Sequence, residues 1–319
     1  MTQSEAPVGA PIAASESLPT GWCVHARHAV GSTNDEARAM ARAGAAEGTL
    51  FWALSQTAGR GRRGRDWESP EGNLYVSVIL RPPFGESVGS RASNARAVST
   101  GAMLRVHSAQ ASFVAAIAVA GCVRSLLPAT ACVQVKWPND VLVDGAKVAG
   151  LLLEAEPEAD GQVPWLVIGM GVNLRHAPVQ AQYPATSLVA AGAAVITAEA
   201  ALPRLAAHLA RALADWRSEG FAGIRTRWRE QAVGLDAPVT VRLAHETREG
   251  IFRDLDADGA LLLEAADGTQ QRITAGDVFF SVPSCSSSAS PCATEAPGSS
   301  QGAEVSVSLP ATVEAKRCC

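Results

Sequence analysis

Between two apolar, strand-forming runs, residues 49–55 and 73–81, the chain carries Gln56-Thr57-Ala58-Gly59-Arg60-Gly61-Arg62-Arg63-Gly64-Arg65-Asp66-Trp67, four arginines and three glycines in twelve residues. No other stretch packs charge so densely. The planar fork of arginine grips phosphate or carboxylate oxygens through paired hydrogen bonds, and glycine lets the backbone approach a ligand and offer its own N–H groups. The stretch therefore reads as an anion cradle, or more plainly as a solvated basic loop or an RGG-like nucleic-acid patch. RGG segments repeat within disordered sequence, whereas this one occurs once between flanks rich in strand formers, which favours a small anionic ligand. Four like charges in so glycine-rich a loop repel one another, so the loop is expected to be mobile alone and to order over an anion.

The charge is local. The whole chain of 319 residues has a formal net charge of −4, which gives it no general attraction to nucleic acid or to an anionic membrane. With 47% hydrophobic and 18% charged residues it has material for one large core and a small second domain. Residues 1–20, built of Ala, Pro, Ser and Glu, lack the basic start and apolar core of a secretory signal and read as a disordered tail. Residues 284–319, rich in Ser, Ala and Pro, read as a second low-complexity tail. The seven cysteines show no CxxC spacing, which points to a reducing cytoplasm without a zinc site or disulfide framework.

Along the chain, Gly31-Ser32-Thr33-Asn34-Asp35-Glu36 opens a helix, because Ser32-x-x-Asp35 and Thr33-x-x-Glu36 both fit a capping box. Ser32, Thr33 and Asn34 are then either helix caps or hydrogen-bonding groups for a neutral polar ligand. Residues 82–110 mix Gly, Ser, Pro and Arg and read as a long surface excursion, and residues 111–127 as a buried helix ended by Pro128. The apolar run 113–123 within it, broken by Gly121, is too short to span a bilayer.

A strand at 133–137 leads into Pro138-Asn139-Asp140, where Asn139 and Asp140 are turn formers or ligand contacts. Asp144-Gly145 between apolar runs signals a hairpin that places Lys147 on the return strand, over a cleft or simply in solvent. In the buried strand 165–174, Gly169-x-Gly171 marks a bulge or a place where a flat ring lies close to the backbone, with Asn173 free to read polar edges. Helical spacing follows at 197–219 and 221–231. Five short strands between 238 and 282, separated by turn signals such as Asp258-Gly259 and Asp267-Gly268, predict a small β-barrel.

Taken in order, Gly31-Ser32-Thr33-Asn34, the Gln56 to Trp67 loop, Lys136-Trp137-Pro138-Asn139-Asp140, Lys147-x-Ala-Gly150 and Gly169-x-Gly-x-Asn173 resemble the biotin–protein ligases. The resemblance implies an α+β fold: a mixed-sheet catalytic domain like that of class II aminoacyl-tRNA synthetases at 21–233, then an SH3-like barrel at 234–283. It implies a two-step reaction in which biotin and MgATP give biotinyl-5′-AMP, whose acyl group passes to a lysine of a biotin carboxyl carrier protein, that of acetyl-CoA carboxylase. By similarity, Ser32, Thr33, Asn34, Gln56, Arg60, Gly61, Arg62 and Lys147 contact biotin, and Lys147, Arg60 and Arg62 are the catalytic cations. Trp67, Asn139 and Asn173 lie at the adenylate, with Gly59, Gly64 and Asp140 in support and the direct Mg2+ ligands unassigned.

Some members of that family carry an N-terminal helix-turn-helix domain and repress transcription. No paired amphipathic helices precede the motifs here, which argues against DNA binding. No membrane partner is expected, and a homodimer is compatible with the resemblance. The competing readings are a lipoate or other acyl-adenylate protein ligase, and a nucleic-acid-binding regulator that uses the Arg/Gly loop.

Overall fold

The computed structural model describes residues 17–82, 84, 101–156, 164–179, 181 and 183–280, with backbone only for 101–108. The first sixteen residues, most of the expected 82–110 excursion and the tail beyond 280 lie outside the described residues. Seven strands form one mixed sheet: β1 (Cys23–Val30), β2 (Thr49–Gln56), β3 (Leu74–Leu80), β4 (Val133–Lys136), β5 (Asp140–Val143), β6 (Ala146–Ala155) and β7 (Leu166–Val172). Their spatial order is β1-β2-β3-β7-β6-β5-β4. Only β1 and β2 pair in parallel, and a parallel pair needs a crossover; α1 (Thr33–Arg42) supplies it.

Both faces of the sheet are covered, and β3 shows it most clearly. All seven of its residues, LYVSVIL, are buried between β2 and β7. Ile79 faces a small cluster under α1 with Phe51, Ala37, Ala41 and Val167, whereas Val78 and Leu80 face the main core. That two-sided burial explains a nearly continuous apolar run instead of alternation. Ser77, the one polar side chain in the strand, points to the α1 side, where it hydrogen-bonds to Thr33 and Asn34.

The main core is closed by α2 (Gly101–Leu126) and α3 (Ala198–Arg229). Residues 109–126 of α2 are apolar enough to cross a membrane by length and composition, but they are largely buried between the sheet and α3. A helix covered on more than one side is apolar all round, and that is the reason here. At Gly121 a Cβ would lie 2.8 Å from His208 Nδ1 of α3, so this glycine sets how closely the two helices approach. Helix α3 breaks at Gly220, whose φ of 72° only glycine adopts freely, as expected from the two helical patterns on either side of it.

The second sheet is antiparallel throughout: β8 (Pro238–Arg242), β9 (Thr247–Leu255), β10 (Leu261–Glu264), β11 (Gln270–Ile273) and β12 (Asp277–Phe280), in the order β11-β10-β9-β8-β12. Gly259 and Gly268 supply the positive φ of the turns signalled by Asp258-Gly259 and Asp267-Gly268. Its apolar face, with Val239, Val241, Phe252 and Leu263, belongs to the same core as the larger sheet. Trp228 of α3 packs between Phe113 of α2 and Phe252 of β9, its ring 5.2 Å from the first and 6.5 Å from the second.

One element is unexpected and two expectations are corrected. Strand β1 is not signalled by the sequence: CVHARHAV carries two histidines and an arginine, and the strand is a sheet edge with five of its eight residues exposed. Helix α2 begins at Gly101, ten residues before the expected start, because the helix formers Ala102, Met103, Leu104 and Arg105 were read as part of the excursion. Ser32 is the N-cap of α1, yet its side chain caps nothing, and only its carbonyl accepts from the Asp35 and Glu36 N–H groups. The hydroxyl and amide beside it are engaged elsewhere.

Candidate active site

Those side chains form the floor of a cleft at the N-terminus of α1. Gln56, at the end of β2, accepts at Oε1 from the Thr33 N–H at 2.9 Å and the Thr33 hydroxyl at 3.1 Å. Its Nε2 donates to Ser69 Oγ at 2.9 Å. The Ser77 hydroxyl lies 2.9 Å from Thr33 Oγ1 and 2.6 Å from Asn34 Oδ1, and Asn34 Nδ2 donates to Glu154 Oε2 at 2.7 Å. Ser32, Thr33 and Asn34 are all buried. The result is a neutral surface with both donors and acceptors, its orientations fixed from behind.

Glycines shape the adjoining wall. A Cβ at Gly169 would stand 2.2 Å from Asn34 Oδ1, and one at Gly171 would stand 2.7 Å from the Trp67 indole nitrogen. Gly150 of β6 pairs with Gly171 of β7, and its Cβ would meet the same indole at 2.9 Å. Trp67 thus lies flat on two facing glycines, and the ring accommodated by Gly-x-Gly is the protein's own. The Trp67 N–H is buried without a hydrogen-bond partner among the described residues.

The basic loop frames the mouth. It folds on itself through an Arg60–Asp66 bridge and a 3-10 turn over Arg62–Gly64, where Gly64 has a φ of 71°. Three of its four arginines have a carboxylate partner, which offsets part of the self-repulsion expected of the loop. Arg60 is bidentate to Asp35 at 2.6 and 2.7 Å, with Glu154 at 3.5 Å. That pairing raises the pKa of Arg60 and holds the Asp35 carboxyl below its usual range. Arg63 reaches Asp277 at 3.2 Å, and Arg65 hydrogen-bonds to the same carboxylate.

Arg62 is different. It is mostly buried, with weak contacts to the Gly276 carbonyl at 3.3 Å and Asn139 Oδ1 at 3.4 Å, and desolvation pulls its pKa down despite Asp277 and Asp140 nearby. Lys136, 7% exposed, lies 4.1 Å from the Tyr183 ring centroid and 5.3 Å from that of Phe280. Burial lowers its pKa in the same way. Cations held in apolar surroundings without a full counter-charge gain most from an arriving anion. Lys147 pairs with Asp140 at 2.6 Å and stands 5.2 Å from the Trp67 ring, between floor and mouth.

Ser32, Thr33, Asn34, Gln56, Arg60, Gly61, Arg62, Trp67, Asn139, Asp140, Lys147 and Asn173 all line this one cleft. Gly59 stands behind it, where a Cβ would meet the Trp67 carbonyl at 2.5 Å, and Gly64 shapes the loop from outside. Asn139 and Asn173 also hold the scaffold: Asn139 Nδ2 donates to the Leu151 carbonyl, and Asn173 Nδ2 to that of Thr186 at 3.1 Å. Lys136, Tyr183 and Asp277 line the cleft too and were not among the expected site residues. Among the described residues, no group of three or more His, Cys, Asp or Glu side chains is placed to hold a metal ion.

The arrangement joins a neutral polar end to a cationic end within reach of one elongated ligand. Residues 32–173 match the model of the biotin/lipoate A/B protein ligase family, and residues 234–281 match the biotin protein ligase C-terminal domain. The chain belongs to this family. It is 36% identical over 254 residues to a biotin–[acetyl-CoA-carboxylase] ligase of Paracoccus denitrificans, covering 78% of this chain and 97% of the relative. A ligase of the same description from Mycobacterium tuberculosis is 33% identical, with 78% and 85% covered. Among solved structures, the biotin protein ligase of Aquifex aeolicus in complex with biotin and ATP superposes with a TM-score of 0.63 at 23% identity, over 81% of this chain and 99% of that one. At that identity the likeness is one of fold: a mixed-sheet domain followed by an SH3-like antiparallel sheet.

Proposed function

We infer that this family member is an ATP-dependent biotin–protein ligase, which activates biotin as biotinyl-5′-AMP and transfers the acyl group to a lysine of the biotin carboxyl carrier protein of acetyl-CoA carboxylase. The observation that carries the reading is the floor of Thr33, Asn34 and Gln56, held from behind by the buried Ser77, in the same cleft as Lys147 and Arg62. A ureido ring has one carbonyl and two N–H groups and suits a floor with fixed donors and acceptors. A dithiolane has no strong hydrogen-bonding group to match that pattern. The floor therefore favours biotin over lipoate.

In the first step a biotin carboxylate oxygen attacks the α-phosphorus of ATP and the bond to the pyrophosphate oxygen breaks. Two anions approach and charge accumulates on the phosphoryl oxygens, so cations are required. Lys147, ordered by Asp140, serves both the carboxylate and the phosphate. Arg62 and Lys136, whose charge is poorly compensated, serve the phosphates. Arg60, already paired with two carboxylates, contributes its backbone and its anchoring more than its charge. In the second step the neutral amine of the carrier lysine attacks the acyl carbon, an amide forms and AMP leaves.

Trp67 offers a flat face to the adenylate, and Asn139 and Asn173 hold the strands beside it. Magnesium enters on the nucleotide phosphates as part of the substrate. The remaining parts of the proposal are a domain boundary near 233–234, supported by the start of the C-terminal family match, and action in the cytoplasm as a monomer or homodimer without DNA or membrane. Incubation with MgATP, a carrier domain and either biotin or lipoate tests the function by mass spectrometry. One biotinyl group on one carrier lysine is expected. Lipoyl transfer without biotinyl transfer would overturn the assignment.

A further inference from the structure

One carboxylate behind the cleft touches both the floor and the loop. Glu154 lies on β6, its side chain 24% exposed. Its Oε2 accepts from Asn34 Nδ2 at 2.7 Å and lies 3.5 Å from Arg60 Nη2, while Oε1 lies 3.6 Å from Arg38 Nη1. Its partners thus come from α1 and from the incoming limb of the basic loop.

The contact with Asn34 fixes an orientation. Asn34 Oδ1 faces the Ser77 hydroxyl at 2.6 Å, and Nδ2 faces both Glu154 and the Leu152 carbonyl at 3.3 Å. Turning the amide over would set its oxygen against a carboxylate and a carbonyl, two acceptors that cannot donate. The absence of a Cβ at Gly169 leaves the amide room without choosing its orientation. Glu154 chooses it. The contact with Arg60 supplements the Asp35 clamp and draws the loop limb toward the floor.

We propose that Glu154 is a positioning residue for recognition of the ureido head of biotin, holding the Asn34 amide in the one orientation that completes the floor and tying Arg60 to it. It acts through Asn34 and Arg60 and need not touch the substrate. The inference rests on the biotin reading, so its test starts with binding of biotin and of lipoic acid to the wild-type protein by calorimetry, without ATP. Binding of lipoic acid alone would overturn the biotin reading and this proposal with it, whereas tight biotin binding leaves Glu154 to be judged by its variants.

Glu154→Ala removes a hydrogen bond from a charged acceptor, so the KM and Kd for biotin are expected to rise by about tenfold or more. The KM for MgATP and kcat at saturating biotin should change by less than about threefold, because binding is lost equally from ground and transition states. Glu154→Gln, whose amide oxygen can still accept from Asn34, should recover most of the affinity, a rescue that loss of fold would not produce. Should the alanine variant fail to fold, the glutamine variant decides alone: weakening of biotin binding by less than about threefold fits a retained acceptor. Unchanged biotin affinity in Glu154→Ala, or a fall in kcat with biotin KM unaltered, would overturn the proposal. So would a glutamine variant no better than alanine.

Discussion

The two ends of the cleft are built by opposite means. The floor is neutral, is assembled from Thr33, Asn34, Gln56 and Ser77, and has its hydrogen bonds closed among its own members and Glu154. The mouth is charged, and its cations are compensated unevenly: Arg60 fully, Arg63 and Arg65 by a shared Asp277, Arg62 and Lys136 poorly. A surface whose groups are already satisfied discriminates by shape and hydrogen-bond pattern. A surface holding desolvated charge stores a penalty that an anion relieves. The difference separates specificity for the acid from the chemistry performed on it.

The sharpest test is at the junction. Lys147→Ala removes the cation between the two ends, and adenylate formation followed by pyrophosphate exchange should fall by about 100- to 1,000-fold. Biotin binding measured without ATP should fall far less. Equal losses in both would mean that Lys147 belongs to the floor and the division fails.

Two milder substitutions probe each end alone. Asp277→Ala leaves the partly exposed Arg63 and Arg65 without their common carboxylate, and loss of these charge-assisted hydrogen bonds costs about 2 kcal/mol. The expected readout is a raised KM for MgATP with biotin affinity unchanged. Ser77→Ala removes the hydroxyl behind Asn34 and Thr33, costing about 1.5 kcal/mol of biotin affinity. Its KM for MgATP should hold steady. A crossed effect in either variant would show that the ends are coupled more tightly than their hydrogen bonds imply.

What the sequence disclosed follows the same division. Ser32, Thr33, Asn34 and the Gln56 to Trp67 loop are contiguous stretches of unusual composition, and the Asp144-Gly145 hairpin is a local backbone signal that placed Lys147 correctly on β6. Ser77 was invisible, because one serine in the apolar run of β3 carries no pattern until α1 is folded across it. Asp277 was invisible for a different reason: it lies 212 residues from Arg65 in a strand of the smaller sheet. Capping boxes at Ser32 and Thr33 located the start of α1 correctly but not the role of its side chains. Gln56 and Ser77 compete for the Thr33 and Asn34 side chains, and tertiary hydrogen bonds won over the helix terminus.

The smallest expected effect concerns Lys136, where function and stability should oppose each other. Burial holds its ammonium below the ordinary lysine range; Asp140 and Asp277 offset this in part, and Lys147 and Arg65 add to it. A lysine depressed in the folded chain binds fewer protons than in the unfolded chain over the interval between the two pKa values. Below that interval both states are charged and the folded state carries the full penalty. As the pH rises through the depressed value the folded lysine loses its proton, and the penalty fades toward the ordinary value of about 10.4. Lys136→Met abolishes the penalty at every pH, so the variant should be more stable than wild type near neutrality by about 1 kcal/mol, with that advantage shrinking as the pH is raised. Urea denaturation at neutral and at alkaline pH measures it, and the same variant should use ATP less well. An advantage that stays constant with pH, or a variant less stable than wild type at neutrality, would show that Lys136 is a comfortable structural cation, and the contrast with Arg60 would then rest on Arg62 alone.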